Sequence, residues 1–244
     1  MTRMERMAPS ALARTAGVLY ILEGLTSVSG ALLVPGTIMV RGDVAAAAGD
    51  ILGNAPLYLL GVTASLVSVA FHTALTVFLY YLFRPVGRVA ALLFASIGLM
   101  AIVLQAVSAL LQLPALIILG GGGGVVAFSA EETQSLARVF LTLRAQAFNF
   151  YLGFFGFRCA AIGYLISQSS FMPRLIGVLM ALTGLGYLTF LWPPLANSLA
   201  PFNLAIAAPG ELSFVLWLAL AGVNSELWKQ QAKAAAEECR RALA

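Results

Sequence analysis

The chain has 244 residues, 61% of them hydrophobic and only 10% charged, with a formal net charge of +4 and a mean hydropathy of +0.93. Soluble domains average about 45–50% apolar and 25% charged residues, so a water-soluble globule of this size has no interior large enough for the excess. The small positive balance reads as membrane topology and contact with lipid headgroups, not as a nucleic-acid surface.

Taken in order, the composition predicts an all-α, polytopic membrane protein, a bundle of six transmembrane helices. Residues 1–11 are a basic arm carrying Arg3 and Arg6. Leu12–Val34 is the first span, with Glu23 near its middle, and Pro35-Gly36 ends it. The run is too long for a secretory signal and no cleavage site precedes the later spans, so it reads as a retained helix. Asp43–Asn54, in the loop that follows, opens on an N-cap residue and closes on Gly-Asn, the pattern of a short interfacial helix. Pro56–Phe83 is the second span and carries His72; Arg84, Pro85, Gly87 and Arg88 turn the chain. Val89–Leu113 is the third span, with Gln105 and Gln112, kinked or ended by Pro114.

Gly120–Gly124 cannot hold a helix and lacks the Gly-Lys-Ser/Thr of a phosphate loop, so it reads as a linker. Ser129-Ala130-Glu131-Glu132 opens a helix with acidic residues where the helix dipole favours them. That helix continues through Arg138 into the fourth span, Phe140–Ser167. Leu175–Trp192 is the fifth span, a linker runs through Pro193, Pro194, Asn197 and Pro201, and Phe202–Val223 is the sixth, with Glu211. Residues 12–223 thus form the membrane domain, and 224–244 a polar helical tail along the cytoplasmic surface. Six spans put both termini on one side. Ten Arg and Lys residues (Arg3, Arg6, Arg14, Arg84, Arg88, Arg174, Lys229, Lys233, Arg240, Arg241) then share that side, against Arg41 and Arg138 opposite. The positive-inside rule makes it the cytoplasm.

The fourth span is the one the others must accommodate. Arg158 lies well inside it, at a cost of about 2.5–3.5 kcal/mol by insertion scales. Arg144 is 14 residues upstream, which places the two within about 40° on a helix, with Tyr151 on the same stripe. The opposite face carries Asn149, Gly153, Gly156, Ala160 and Gly163, small enough for a neighbouring helix to approach closely. Gly184 and Gly186 read as helix-packing positions, and Phe154, Phe155 and Phe157 as packing or lipid-facing rings.

Glu23, His72, Arg158 and Glu211 each lie about 9–12 residues from the inner end of their spans, in one slab of the bundle. Gln105, Asn149 and Arg144 form a layer nearer the outside. The expected arrangement pairs Arg158 with Glu211, Glu23 or both, with His72 nearby. Those seven residues are the candidate ligand-binding set. A buried ion pair can equally serve to fix helix positions, whereas intramembrane ionisable groups point by default to a ligand or ion path. One histidine and two separated cysteines, Cys159 and Cys239, give no zinc, haem or redox spacing. No metal and no cofactor are expected.

Several blocks resemble a known family: ARTAGVLYILEG at 13–24, GDVAAAAGDILGNAPLYLLGV at 42–62, FGFRCAAIGYLI at 155–166, SSFMPRLIGVLMALTGLGYL at 169–188 and APGELSFVLWLALAGV at 208–223. In this order and spacing they are similar to a bacterial membrane family known only as domain of unknown function 4386. The resemblance covers about residues 12–223. It implies a multi-pass protein of the bacterial cytoplasmic (inner) membrane and carries no reaction, substrate or cofactor with it. The expected function is the binding or movement of a small or lipid-like ligand through an intramembrane polar pocket. The alternatives are a non-catalytic membrane subunit that docks through the glycine face, and a membrane-embedded enzyme using His72 and a glutamate. Expected partners are membrane lipid, a small hydrophobic ligand and another membrane protein, but no nucleic acid.

Overall fold

A computed structural model describes residues 7–33, 49, 51–121 and 128–242. Among these, the regular structure is helical throughout. In chain order the helices are α1 (Pro9–Leu33), α2 (Ala55–Phe83), α3 (Arg88–Leu110), α4 (Gln112–Leu119), α5 (Ala130–Gln168), α6 (Arg174–Leu188), α7 (Pro193–Leu199), α8 (Phe202–Leu216) and α9 (Ser225–Ala242). Four stretches are long and apolar enough to cross a membrane: Ala55–Phe83, Arg88–Leu119, Ala130–Gln168 and Arg174–Leu191. A fifth arises if Ala205–Ala221 and Ser225–Glu238, bent by 102°, count as one. Large apolar side chains such as Val89, Leu93, Leu175, Leu185 and Leu220 stay exposed along these helices, as lipid-facing positions do.

Local chemistry explains most of the boundaries. The start of α5 is a reciprocal capping box: Ser129 N donates to Glu132 Oε2 (2.8 Å), and Glu132 N donates to Ser129 Oγ (3.3 Å). At 39 residues, α5 is about 58 Å long, roughly twice a hydrocarbon core, so only part of it can lie in lipid. The stretch Arg88–Leu119 breaks at Leu111 and resumes as α4. Pro114 is the reason, because its ring would strike the carbonyl four residues back, at Leu110, if one helix ran through. Residues 193–201, expected as a linker, contain the helix α7 instead. Pro193 suits a first helical position, and Asn203 Nδ2 ties the helix down through Ala196 O (3.3 Å). Beyond α8 a five-residue π turn, Trp217–Ala221, is stopped by Gly222 at φ +71°, a conformation costly to residues with a Cβ. The interfacial helix expected at Asp43–Asn54 and the linker glycines 122–124 fall largely outside the described residues.

The chain divides into two compact units, one of residues 1–21, 72–101 and 152–244, the other of 22–71 and 102–151. In the first unit, α5 and α6 touch through glycine. A Cβ on Gly156 would lie 2.9 Å from Gly184 O, and one on Gly163 would lie 2.7 Å from Gly177 O. Each step of seven residues up α5 is matched by seven down α6, the register of an antiparallel pair. The small-residue face of α5 is therefore occupied by the chain's own α6. From there α6 meets α8, where Thr183 Oγ1 donates to Ala207 O (2.9 Å).

The tail helix α9 belongs to the same unit. Asn224 caps it, accepting from Glu226 N and Leu227 N. Trp228 Nε1 donates to Leu82 O (2.8 Å), one of the last carbonyls of α2. Gln231 Oε1 accepts from both N and Oγ of Ser170. In the second unit, Ile51, Tyr58, Val62, Ala115, Ile118, Ala137 and Leu141 make a buried apolar cluster. Tyr58 leaves it at one point, its hydroxyl donating to Gln112 O (3.0 Å).

Candidate functional sites

Each unit holds its own buried polar centre. In the first, Arg158 of α5 is only 1% exposed. Its guanidinium carbon lies 5.1 Å from the centroid of Phe94 on α3 and 5.2 Å from that of Phe155, one turn earlier on α5. Desolvated cation–π contacts of this kind contribute about 2 kcal/mol or more each. Nε and Nη2 of Arg158 are buried with no hydrogen-bond partner among the described residues. The carboxylate expected beside Arg158 is thus not at hydrogen-bonding distance of either nitrogen, and aromatic faces stand there instead.

The elements around Arg158 are shaped to admit it. Gly98, one turn along α3 from Phe94, leaves space for the arginine stem; a Cβ there would sit 3.4 Å from Arg158 Cδ and Nε. The same Cβ would lie 3.2 Å from Thr76 Cγ2 on α2. Thr76 bonds back to the carbonyl of His72 (2.9 Å), which places both on one face of α2. His72 is fully buried, and its ring meets Phe155 edge-on at 5.7 Å. Phe155 therefore touches both His72 and Arg158, and it also meets Tyr187 of α6 at 5.5 Å. Glu211 of α8 is half-buried, and its charge and that of Arg158 both act on Cys159. His72, Arg158 and Glu211 thus share one unit.

The second centre is a hydrogen-bonded triad. Ser68 Oγ donates to Glu23 Oε1 (3.2 Å), and Gln105 Nε2 donates to Ser68 Oγ (3.0 Å) and to Glu23 Oε1 (3.4 Å). All three side chains are buried. Glu23 and Gln105 thus fall together, in the unit that does not contain His72, Arg158 and Glu211. Arg144 is in this second unit too, half-buried with its guanidinium over Phe148 at 5.9 Å. Asn149 lies half-buried on the same stretch of α5.

Sequence reasoning passed over Phe94, Gly98, Thr76, Ser68 and Ser108. An aromatic, a glycine or a hydroxyl in an apolar span carries no signal of its own, and only the facing helix gives it a role. Phe155, by sequence a packing or lipid-facing ring, links His72 to Arg158.

The triad makes a stability prediction. Replacing Ser68 by Ala and Gln105 by Leu together removes two donors from a buried carboxyl group, at about 1–3 kcal/mol for each polar group left unsatisfied. Glu23→Gln keeps an acceptor oxygen in place and is expected to cost under half as much. Thermal unfolding in detergent, followed by circular dichroism, measures both; equal losses would mean that the triad does not hold Glu23.

A family model described as "Domain of unknown function (DUF4386)" matches residues 15–222. Searches of curated proteins and of solved structures return no match. The chain belongs to the DUF4386 family.

Proposed function

We propose that this member of the family is a six-span protein of the bacterial cytoplasmic membrane that binds or moves a small or lipid-like ligand through polar groups buried in its spans. The spans in this reading are α1, α2, α3 with α4, α5, α6 and α8. The 25 residues of α1 reach about 38 Å, enough to cross. The positive-inside count puts both termini in the cytoplasm. Membrane-impermeant maleimide labelling of intact cells tests this, in a background with Cys159 and Cys239 replaced by Ser. Glu131→Cys is expected to label and Lys233→Cys only after lysis; the reverse pattern overturns the topology.

The observation that carries the functional reading is Arg158. A wholly buried cation with two donors unbonded among the described residues, walled by Phe94 and Phe155, is expensive for a merely structural residue. It is suited to an acceptor-bearing headgroup, whose apolar remainder lies against the rings. His72 and Glu211 supply further polar edges in the same unit.

Native mass spectrometry of protein extracted in mild detergent tests this reading. A discrete additional mass is expected on the wild type and is expected to be lost from Arg158→Leu. Retention of that mass by a folded Arg158→Leu protein overturns the reading, as does a wild type that carries none.

A further inference from the structure

The second unit contains a cavity that this reading does not use. Its volume is about 30 Å³, and Ser65, Gln105, Ser108, Gln112, Arg144 and Phe148 line it. That is room for roughly two water molecules, which is also the scale of a single carboxylate group.

The polar part of the lining is incompletely satisfied. Arg144 Nε and Gln112 Oε1 are buried with no hydrogen-bond partner among the described residues, and Gln112 is only 1% exposed. Of the three serines that line it, Ser27, Ser65 and Ser108, the last two have committed protons. Ser65 Oγ donates to Gly61 O (3.0 Å), and Ser108 Oγ donates to the carbonyl of Arg144 itself (3.2 Å). Ser108 thereby fixes the α5 backbone at the residue whose side chain carries the charge.

Charge decides what the cavity takes. Among the described residues that line it, Arg144 is the sole ionisable one. Glu23, to which the lining residue Gln105 is bonded, is engaged by Ser68 and by Gln105 itself. A guanidinium in an apolar span is costly without a counter-charge, and its planar fork matches the two oxygens of a carboxylate. Gln112 adds to this: an amide whose oxygen has no partner loses nothing by turning over to present its NH₂ to an anion. The Phe148 ring beside Arg144 offers an apolar wall for the carbon attached to the carboxylate.

We propose that this cavity binds a carboxylate group, with the Arg144 guanidinium as counter-charge and Gln112 as the second hydrogen-bonding residue. The carboxylate can come from a free short acid or from the head of a fatty acid. The proposal concerns the second unit alone and does not rest on the role of Arg158.

The experiment is a binding titration of the purified full chain in a non-ionic detergent, read by calorimetry and by the shift in unfolding temperature. The probes are acetate, decanoate and decanol. Saturable binding of acetate, with or without decanoate, identifies a free acid as sufficient. Binding of decanoate alone identifies a fatty acid. Binding of neither overturns the proposal, and so does decanol binding as tightly as decanoate, because the site would then read the chain and not the carboxylate. Arg144→Gln is expected to weaken binding at least tenfold, and unchanged affinity overturns the proposal. Gln112→Leu, which keeps the side-chain bulk, is expected to weaken it several-fold and serves as the variant if Arg144→Gln does not fold. Titrating Arg144→Gln against its parent in an Arg158→Leu background removes any binding that belongs to Arg158, so failure here is distinguishable from failure of the Arg158 reading.

Discussion

Gly156→Leu is expected to yield no monodisperse protein after extraction in mild detergent. At this position α5 and α6 touch backbone to backbone: a Cβ on Gly156 would lie 2.9 Å from both Gly184 O and Leu188 N. These are main-chain atoms of a helix and cannot rotate aside as a side chain can. Gly184 is in the reciprocal position, its Cβ 2.7 Å from Gly156 O. Even Gly156→Ala forces the two helices apart, at about 1–3 kcal/mol for a modest overpacking. A leucine adds three more carbons to the same space and exceeds what a domain with about 5–15 kcal/mol of stability can absorb. In a membrane the contact has no hydrophobic substitute, since lipid tails are as apolar as the helices; close packing is itself the source of association. Gly24 is the control. Nothing lies within 4 Å of its would-be Cβ, so Gly24→Ala is expected to be neutral or to stabilise by up to about 1 kcal/mol through helix propensity. Size-exclusion profiles and thermal unfolding of Gly156→Leu, Gly156→Ala and Gly24→Ala measure the series. A well-folded Gly156→Leu protein would mean that the α5–α6 register is wrong.

Arg158→Leu is expected to raise the unfolding temperature. An arginine at mid-span costs about 2.5–3.5 kcal/mol on insertion scales, whereas leucine is favourable by about 0.3–0.6. Two of the guanidinium nitrogens have no hydrogen bond among the described residues to set against that cost. What leucine forfeits is the contact with Phe94 and Phe155 and some packed volume. These terms nearly offset, and the expected balance is a small gain of about 1 kcal/mol, the direction seen when buried charges are replaced by apolar residues. Gly98 offers a cross-check, because a Cβ there would lie 3.2 Å from Thr76 Cγ2 and 3.4 Å from the same stem. Gly98→Ala is expected to cost about 1–3 kcal/mol in the wild type and less in Arg158→Leu, a coupling that a double-mutant cycle measures. A loss of stability in Arg158→Leu would make the arginine a structural clamp. A gain in stability combined with loss of the bound mass is the pattern of a site retained for function at the expense of stability.

The helical, membrane-compatible class was legible in the sequence, because apolar runs of this length have no other stable form. So were many boundaries, which depend on neighbours in the chain: the Ser129–Glu132 box at the start of α5, the turn at Arg84–Gly87 and the break that Pro114 imposes. The helix at Pro193–Leu199 was missed, because its two prolines read as a linker and its anchor, Asn203, lies seven residues on from the carbonyl that it holds. Burial of Glu23, His72, Gln105 and Arg158 was also readable, since lipid is a costly place for such groups and only the bundle interior relieves it.

Which groups meet inside the bundle was decided elsewhere. Glu23 bonds to Ser68 and Gln105, 45 and 82 residues away, and no spacing within a span encodes that choice. Arg158 faces Phe94 and Phe155, although a carboxylate was the natural expectation from charge and depth. Partner choice follows from the rotation and register of whole helices, and these are set by where backbones can approach, at Gly156 with Gly184 and at Gly163 with Gly177. Length, hydropathy and local capping are properties of one helix at a time, and the sequence by itself determined them for this protein. The surroundings of Arg158 and Arg144 are properties of several helices at once, and only the tertiary structure decided them.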